Sequence, residues 1–357
     1  MARLTIDTVS KTFGAHAALD RASIVIEDGE FVALLGPSGC GKTTMLRLIA
    51  GFDTVSGGSI TLGDRLVSGT RHHVPPEDRR MGIVFQSYAL WPHMNVAENV
   101  AYALRVQGLA REQREARVRA ALDGVGLGDF ATRRPASLSG GQRQRVALAR
   151  CLAMEPAMVL LDEPLANLDV HLRATMEEEF AQFHQRTGTT MLYITHDQAE
   201  AMALADRIAV MDHGRILQYA TPSTLYREPA TETVAKFIGA GLILPAEPIG
   251  KPENGGIAVE VLGHRAQVRC SRTHAPPTTM KLCVRAQDLA VDETCADALQ
   301  ATITRVVYQG GHFMAQVVLA CRPDLSLALM LPEPTPFNVG DSLRIAVRDG
   351  WLIPGQA

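Results

Sequence analysis

The sequence lacks any long apolar run. Nowhere among its 357 residues do roughly 18 apolar residues follow one another, the length that a membrane-spanning helix needs. The first residues also lack the apolar core of a secretion signal, so we expect no such signal. These absences argue against an integral membrane protein or a secreted one.

Neither sign of charge dominates, and cysteine patterns are missing. The 35 Lys and Arg residues stand against 38 Asp and Glu, and this formal net charge of −3 argues against general nucleic-acid affinity. The cysteines include no C-x-x-C pair and no zinc-type spacing. They are Cys40, Cys151, Cys270, Cys283, Cys295 and Cys321. We therefore expect free thiols in a reduced, cytosolic chain without nucleic acid as a partner.

The composition does provide enough apolar side chains for a large core. Hydrophobic residues make up 46% of the chain and charged residues 20%, as in soluble globular proteins. The length exceeds that of one usual domain, which predicts two. The pattern changes near residue 240, so we expect domains at 1–240 and 241–357.

Apolar patterns in the first domain alternate between strand type and helix type. Runs that predict strands lie at 4–10, 22–27, 31–35, 59–62, 81–85, 158–161, 190–195 and 207–211. Runs that predict helices lie at 111–122, 170–187 and 197–205, and helical texture prevails over about 87–150. Strands that alternate with helices predict an α/β fold, with a mostly parallel sheet covered by helices on both faces.

The second domain has a different pattern, with Pro and Gly turns between short strand-like runs. These runs lie at 257–262, 266–270, 281–285, 301–308, 314–320 and 343–347. No helix-length amphipathic run is obvious among them. The pattern predicts a small β-barrel or sandwich.

One short stretch matches G-x-x-x-x-G-K-[ST], the phosphate-binding loop. It consists of Gly36, Pro37, Ser38, Gly39, Cys40, Gly41, Lys42 and Thr43. A strand-type run precedes it and helical spacing follows from Thr44, which is the setting that the motif requires. Glycines let backbone N–H groups face a phosphate, and the helix N-terminus adds its positive dipole end. We expect Lys42 to reach the β- and γ-phosphates and the Thr43 hydroxyl to bind Mg²⁺; an ordinary glycine-rich turn is the alternative.

An acidic pair, Asp162 and Glu163, ends a buried strand-type run. An Asp at a strand end beside a phosphate loop is the usual second anchor for Mg²⁺. Glu163 can orient or deprotonate a water for attack on the γ-phosphate. A chance Asp-Glu turn is the alternative, which the nearby phosphate loop makes the weaker interpretation.

The motif LSGGQ opens a predicted helix with Ser139, Gly140, Gly141 and Gln142. Such an opening offers free backbone N–H groups and a hydroxyl, which is a second phosphate-binding surface. One triphosphate needs only one phosphate loop. The simplest interpretation is that two chains meet head to tail and each closes the ATP site of the other, whereas a helix cap without function is the alternative.

With these motifs in this order, the chain resembles the ATP-binding subunit of an ATP-binding cassette (ABC) transporter over about residues 4–238. The resemblance implies ATP hydrolysis with ATP and Mg²⁺. It implies that Phe13 stacks on adenine, a role that a lone aromatic residue does not establish. It also implies that Gln86 joins Mg²⁺ and links the site to the helical segment, and that His196 contacts the γ-phosphate and senses it.

The resemblance assigns three sets of residues. The catalytic residues are Lys42, Glu163 and His196. The metal ligands are Thr43, Gln86 and Asp162. The ATP-binding residues are Phe13, Gly36, Pro37, Ser38, Gly39, Cys40, Gly41, Lys42, Thr43, Thr44, Gln86, Ser139, Gly140, Gly141, Gln142, Asp169 and His196. One departure from the family pattern is Ala166, where relatives often carry Ser.

The resemblance also implies partners. Residues 88–94 resemble the surface that docks on membrane subunits, and residues 241–357 resemble the small OB-like β-domain of importer ATPases for sugars, polyamines, ferric iron and phosphonates. We expect a homodimer on integral-membrane permease subunits, at the cytoplasmic face of the inner membrane. A periplasmic or extracellular substrate-binding protein would be an indirect partner, and the expected substrate is ferric iron or a polyamine. Residues 284–289 differ from the segment that is usual in those domains. This difference weakens the expectation that the domain binds a regulatory ligand.

Two other classes of function compete with transport. A soluble ABC ATPase of DNA repair or translation generally carries two cassettes or a long coiled-coil insertion, and this chain has neither. A non-hydrolysing, ATP-gated interaction module would be expected to lack Glu163 or His196, and both are present. The sequence therefore favours a transport ATPase.

Overall fold

The computed structural model describes residues 2–166, 168–271, 280–295 and 297–354. Contacts within the chain separate two units, Met1–Pro222 and Ser223–Ala357. The sequence predicted a domain boundary near residue 240, so this division falls earlier than expected.

The first unit alternates strands and helices along the chain. Its strands are β1 (Leu4–Phe13), β2 (His16–Ile26), β3 (Phe31–Leu35), β4 (Gly57–Leu62), β5 (Arg65–Gly69), β6 (His72–His73), β7 (Met81–Val84), β8 (Met158–Asp162), β9 (Met191–Thr195), β10 (Arg207–Asp212) and β11 (Arg215–Ala220). Its helices are α1 (Lys42–Ala50), α2 (Val96–Val106), α3 (Arg111–Gly124), α4 (Gly140–Leu152), α5 (Val170–Thr187) and α6 (Gln198–Leu204). The sequence did not predict β5, β6 or β11, because their side chains are largely exposed or half-buried and form no apolar run.

Two sheets organise this unit. The larger has the strand order β11-β10-β3-β9-β8-β7, and its neighbours are parallel except for β10 and β11. The second sheet is antiparallel, with the order β2-β1-β4-β5-β6. The predicted α/β class with a mostly parallel sheet is confirmed, and the antiparallel sheet is an addition that the sequence did not predict.

Successive side chains of a strand point to opposite sides of the sheet, and in the central parallel strands both sides pack into a core. Val159 and Leu161 of β8 pack into the core that holds residues of α2, α3 and α4. Met158 and Leu160 pack into the core that holds residues of α1. A strand buried in this way has a continuous apolar sequence, which explains why the sequence predicted β8 and β3 closely.

Residues 87–95 are not helical, although the sequence predicted helical texture from residue 87. They form turns, in which Tyr88 and Ala89 have positive φ angles of 60° and 46°. Arg150 of α4 donates hydrogen bonds to the carbonyl oxygens of both residues, at 3.0 Å and 2.6 Å. The helix begins only after Asn95, whose side chain caps α2.

Strands dominate the second unit. Its helices are α7 (Pro222–Arg227) and α8 (Glu232–Phe237), and its strands are β12 (Leu242–Glu253), β13 (Gly256–Val261), β14 (His264–Cys270), β15 (Met280–Val284), β16 (Leu289–Val291), β17 (Leu299–Tyr308), β18 (His312–Leu319), β19 (Arg322–Pro332), β20 (Ser342–Val347) and β21 (Trp351–Ile353). The order β12-β13-β14-β21-β15 closes a barrel, and β16-β20-β17-β18-β19 forms an antiparallel sheet. The predicted small β-domain is confirmed.

The two short helices explain why the units divide before residue 240. Val234 and Ala235 of α8 are buried, and Ala235 packs in one cluster with Cys283 and Trp351. The indole N–H of Trp351 donates to the carbonyl of Pro229 at 3.1 Å. Helical residues carry no strand signal, so the sequence pattern assigned them to the first domain.

One buried cation ties parts of the first unit together. Arg79 is 1% exposed and donates to four backbone carbonyls at 2.7–2.9 Å, those of Leu48, Ile49, Val67 and Val74. Two of these carbonyls lie in the last turn of α1, where helix carbonyls lack intrahelical partners. Burial lowers the pKa of Arg79 to about 10, with a smaller contribution from the charge of Arg65, so the guanidinium stays charged at neutral pH.

We expect Arg79→Ala to lower the free energy of unfolding of the first unit by about 3 kcal/mol, because four backbone carbonyls each lose a buried hydrogen bond from the guanidinium. The exposed Arg71 provides a matched control, since Arg71→Ala should change this free energy by less than about 0.5 kcal/mol. The chain has 2 tryptophans, Trp91 in the first unit and Trp351 in the second. Urea unfolding in a Trp351→Phe background therefore follows Trp91 fluorescence alone. Equal unfolding midpoints for the two arginine variants would contradict this role of Arg79.

Candidate active site

The strand ends of the parallel sheet bring the predicted motifs to one edge. Leu35, the last residue of β3, pairs with Thr195, the last residue of β9. Asp162, which ends β8, pairs with Ile194. Strand β7 runs parallel to β8 and leads to Gln86. Because parallel strands end on the same side of a sheet, the phosphate loop and the later motifs meet at its carboxyl edge, where α/β proteins usually bind ligands.

The phosphate loop connects β3 to α1 and encloses the side chain of Lys42. The Lys42 ammonium donates to the carbonyl oxygens of Gly36, at 2.6 Å, and Pro37, at 3.0 Å. Lys42 is 5% exposed, whereas the residues from Pro37 to Gly39 are exposed. The loop therefore combines an exposed backbone with an enclosed positive charge, as a phosphate site requires.

The glycines of the loop are needed for its geometry. A Cβ at Gly36 would lie 2.3 Å from the carbonyl oxygen of Met211, and one at Gly41 would lie 2.6 Å from that of Ala18. Gly41 and Gly39 have φ angles of 108° and 80°, which residues with a Cβ rarely adopt. Side chains at these positions would prevent the turn that directs backbone N–H groups into the loop.

The Cys40 side chain belongs to the core rather than to the exposed part of the loop. It is buried and packs with residues of α1 and of the antiparallel sheet. Burial raises the pKa of its thiol, and the neighbouring Lys42 ammonium opposes this rise. The backbone of Cys40, and not its thiol, is therefore the group that can face a phosphate.

Ionisable groups converge beside the loop. Burial, and then the Glu163 carboxylate, raise the pKa of Asp162, while the charge of Lys42 opposes the rise. The Nδ1 atom of His196 lies 3.2 Å from Oε2 of Glu163. Glu163 has a φ of 45°, and its N–H donates to the carbonyl of Ile194 at 3.0 Å. The structure thus brings together the three residues that the sequence predicted to be catalytic.

The donor set at this edge fits a magnesium ion. Thr43 and Gln86 are exposed and Asp162 is half-buried, so a hydroxyl, an amide and a carboxylate are accessible. Mg²⁺ prefers such oxygen ligands. Burial and a neighbouring carboxylate both penalise the negative charge of Asp162, and a bound cation relieves that penalty.

The LSGGQ motif begins α4 with a capping box. The Ser139 hydroxyl accepts from the N–H of Gln142 at 3.3 Å, and the Gln142 side chain accepts from the N–H of Ser139 at 2.9 Å. Such a box satisfies two helix-end donors and fixes the direction in which the helix starts. The motif therefore forms a defined helix cap, as its sequence predicted.

The start of α5 packs against this cap. Cβ atoms at Gly140 and Gly141 would lie 3.2 Å and 3.0 Å from the side chains of Leu168 and Leu172. Asp169 caps α5 by accepting from the N–H of Leu172 at 3.0 Å. The two glycines of the motif and Asp169 therefore lie next to each other in one chain.

The ring of Phe13, at the end of β1, is 50% exposed. The ammonium of Lys11 lies 4.9 Å from the ring centroid and 2.5 Å from a carboxylate oxygen of Asp53. Lys11 is itself buried, so an ion pair with little solvent contact supports the ring. The sequence did not indicate either charged residue, because a lysine in a strand is usually a solvated side chain.

A buried polar cluster next to His196 was also missed. Glu200, 3% exposed, accepts from the hydroxyls of Tyr193 at 2.8 Å and Thr195 at 2.6 Å. The Thr195 hydroxyl accepts in turn from the N–H of Asp197 at 2.9 Å. Two hydroxyl residues on one face of an otherwise apolar strand were the available signal in the sequence.

A glycine loop between a parallel strand and a helix, with two carboxylates at a nearby strand end, defines a P-loop nucleoside triphosphatase. Residues 19–166 match the model of the ABC transporter family, and residues 282–353 match that of the TOBE domain. The chain belongs to the ABC transporter family, as an importer-type ATP-binding subunit with a C-terminal β-domain.

Several curated relatives match most of the chain. The Fe(3+) ions import ATP-binding protein FbpC of Brucella suis biovar 1 (strain 1330) is 42% identical, over 88% of this chain and 87% of its own length. The spermidine/putrescine import ATP-binding protein PotA of Pseudomonas fluorescens (strain Pf0-1) is 44% identical, over 92% and 90%. The sn-glycerol-3-phosphate import ATP-binding protein UgpC of Cupriavidus pinatubonensis (strain JMP 134 / LMG 1197) is 42% identical, over 97% and 95%.

Solved structures resemble a large part of the chain in fold. The ATP-binding cassette MJ0796, a dimer in a post-hydrolysis state bound to ADP and Pi, is 30% identical with a TM-score of 0.54, over 61% of this chain and 98% of that one. The protein cbiO1 from Clostridium perfringens, part of an ABC transporter complex, is 27% identical with a TM-score of 0.58, over 62% and 90%. The predictions of an ATP-binding ABC subunit and of its ATPase activity are confirmed.

Among the described residues, no helix is both long enough and apolar enough to cross a membrane.

Proposed function

We propose that two copies of this chain close head to tail over two ATP molecules, hydrolyse them, and drive separate membrane subunits of an importer. The observation that carries the proposal is the convergence of Lys42, Glu163 and His196 at one sheet edge. Ser139 and Asp169 belong to a second patch, around the cap of α4, which the nucleotide of the partner chain can contact. This second patch is the reason for proposing a composite site.

The proposed roles follow from the surroundings of each group. The proposed Mg²⁺ ligands are Thr43, Gln86 and Asp162, and the ion would neutralise phosphate charge. Lys42 and the loop N–H groups hold the β- and γ-phosphates, and Phe13 stacks on adenine. Glu163 accepts a proton from the attacking water. His196, in contact with Glu163, meets the γ-phosphate.

An exposed surface next to Gln86 is evidence for a membrane partner. Phe52 and Phe85 are 46% and 36% exposed, and their ring centroids lie 6.3 Å apart. Residues 88–94 form the turn that follows, and exposed apolar groups rimmed by polar ones are typical of protein interfaces. We propose that permease subunits dock here and hold the chain at the cytoplasmic face of the inner membrane, with a substrate-binding protein as an indirect partner.

The class of transported substrate is proposed with the relatives as a guide. Relatives named for ferric ions, polyamines and sn-glycerol 3-phosphate are 42%, 44% and 42% identical to this chain, so similarity does not choose among them. We propose ferric iron or a polyamine. Permease subunits and a binding protein select the substrate of an importer, so the choice requires those partners.

Two measurements test the proposed function. The purified chain should release phosphate from ATP when Mg²⁺ is present, and it should co-purify with a membrane permease from its own cell. Phosphate release without a membrane partner would favour a soluble ATPase. Co-purification without phosphate release would favour an ATP-gated interaction module.

The second unit is proposed to hold two chains together when the ATP sites are open. Val307, Met314 and Met330 pair across β17, β18 and β19 in one row. Val307 is 36% and Met330 40% exposed, so this row presents apolar side chains to a partner. The proposed partner is the same row of a second copy.

A chain that ends at Pro222 should keep ATP hydrolysis but lose most of its nucleotide-free dimer, as measured by light scattering. In the full chain, Met330→Asp should weaken this dimer, because a charge in an apolar interface is costly. Ser326→Asp, on the same face of β19, is the matched control. An unchanged dimer in both the truncated chain and Met330→Asp would show that the second unit does not join the chains.

A further inference from the structure

His196 lies in a turn that a hydrogen bond between its two neighbours closes. His196 lies between Thr195 and Asp197, and its side chain is 55% exposed. The N–H of Asp197 donates to the Thr195 hydroxyl at 2.9 Å and so bridges the histidine. Hydrogen bonds of this i to i+2 type fix the backbone of the residue between them.

The Thr195 hydroxyl is itself oriented by Glu200. A hydroxyl has one proton, and that proton is donated to the Glu200 carboxylate at 2.6 Å. A lone pair of the same oxygen is then directed to the N–H of Asp197. Thr195 is 2% exposed and Glu200 3%, so water does not compete for these bonds.

The carboxylate of Glu200 is held from three sides. Tyr193 donates to it at 2.8 Å, and burial together with the charge of Glu200 raises the pKa of Tyr193 well above its ordinary value, so the phenol remains a donor. Arg173 of α5 lies 3.6 Å from Glu200 and 3.1 Å from Asp197. The cluster thus connects β9 and α6 with the helix that Asp169 caps.

We propose that the Thr195 hydroxyl, oriented by Glu200, is a positioning group that keeps His196 against Glu163 for hydrolysis. The inference rests on the proposed function of His196 and Glu163. The hydroxyl touches neither substrate nor water in this role. It acts through the backbone of His196, and small displacements of a catalytic group have large effects on rate.

Three variants distinguish an effect on the position of His196 from an effect on the stability of the fold. Thr195→Val replaces the hydroxyl with a methyl group, and Thr195→Ser keeps it. Tyr193→Phe removes the other hydroxyl that Glu200 accepts from, without altering the bond to Asp197. We expect Thr195→Val to lower kcat by roughly 10–100-fold, with KM for ATP unchanged within about twofold. Thr195→Ser and Tyr193→Phe should stay within about threefold of the wild-type kcat.

The outcomes are distinct. A Thr195→Val chain with wild-type kcat would overturn the inference, and so would an equal loss of kcat in Tyr193→Phe, since that pattern indicates stability alone. If Thr195→Val does not fold, Glu200→Gln decides, because a neutral amide accepts a hydrogen bond more weakly than a carboxylate. A several-fold fall in kcat at constant KM supports the inference, and wild-type kcat overturns it. His196→Ala tests the proposed function separately: if it keeps the wild-type rate, the role of His196 fails whatever Thr195 does.

Discussion

Glu163→Gln should retain ATP binding and lower the rate of phosphate release by roughly 10²–10⁴-fold, the usual contribution of a general base. The amide has the size of the carboxylate and can still contact His196, but it cannot take a proton from water. Because hydrolysis no longer separates the chains, ATP should hold them in a stable dimer. Steady-state phosphate release by the full chain measures the first effect. Light scattering with ATP and Mg²⁺ measures the second in the chain that ends at Pro222, since the full chain is proposed to be a dimer without nucleotide as well.

Lys42→Ala is the contrast to this variant. The Lys42 ammonium, enclosed by the carbonyls of Gly36 and Pro37, is the positive charge of the phosphate loop. Its removal should reduce the affinity for ATP as well as the rate, so no trapped dimer should form. A Glu163→Gln chain that releases phosphate at the wild-type rate would exclude Glu163 as the base.

Gly141→Asp should reduce hydrolysis by at least about 10²-fold, although the phosphate loop of the same chain still binds ATP. In the head-to-tail arrangement, the new carboxylate would add a negative charge to the cap that meets the γ-phosphate of the partner's nucleotide, and two negative charges repel. Mixing Gly141→Asp chains with Lys42→Ala chains should restore hydrolysis in part. Each mixed dimer then has one site with an intact loop and an intact LSGGQ motif.

Gly141→Ala is the matched control for this prediction. A Cβ at this position would lie 3.0 Å from Cδ1 of Leu172, so both variants disturb the packing against α5. Only the aspartate adds charge, and Gly141→Ala should therefore keep most of the hydrolysis. Wild-type hydrolysis by Gly141→Asp chains would contradict the composite site.

The sequence predicted well what local pattern determines. Strands β3, β8 and β9 are mostly apolar because both of their faces are buried, and their bounds agree closely with the prediction. The glycines of the phosphate loop are constrained by Met211 and Ala18, which are far away in the sequence. The motif was nevertheless recognisable, because its own residues carry the geometry.

Features that depend on distant partners could not be predicted. Arg79, Lys11 and Glu200 are charged residues that the sequence does not distinguish from solvated ones, and only the fold shows which groups are hydrogen-bonded to them. Tyr88 and Ala89, which have positive φ angles, likewise accept hydrogen bonds from Arg150, more than sixty positions later. The pattern around residue 87 was therefore interpreted as helical when it forms turns.

Arg150 also has a mechanical consequence. Helix α4 contains 13 residues, so it is a rigid rod about 20 Å long. Ser139 caps its first turn, and Arg150, in its last turn, is bonded to the carbonyls of Tyr88 and Ala89. A push on the turn at residues 88–94 therefore acts on one end of a lever whose other end is the LSGGQ cap.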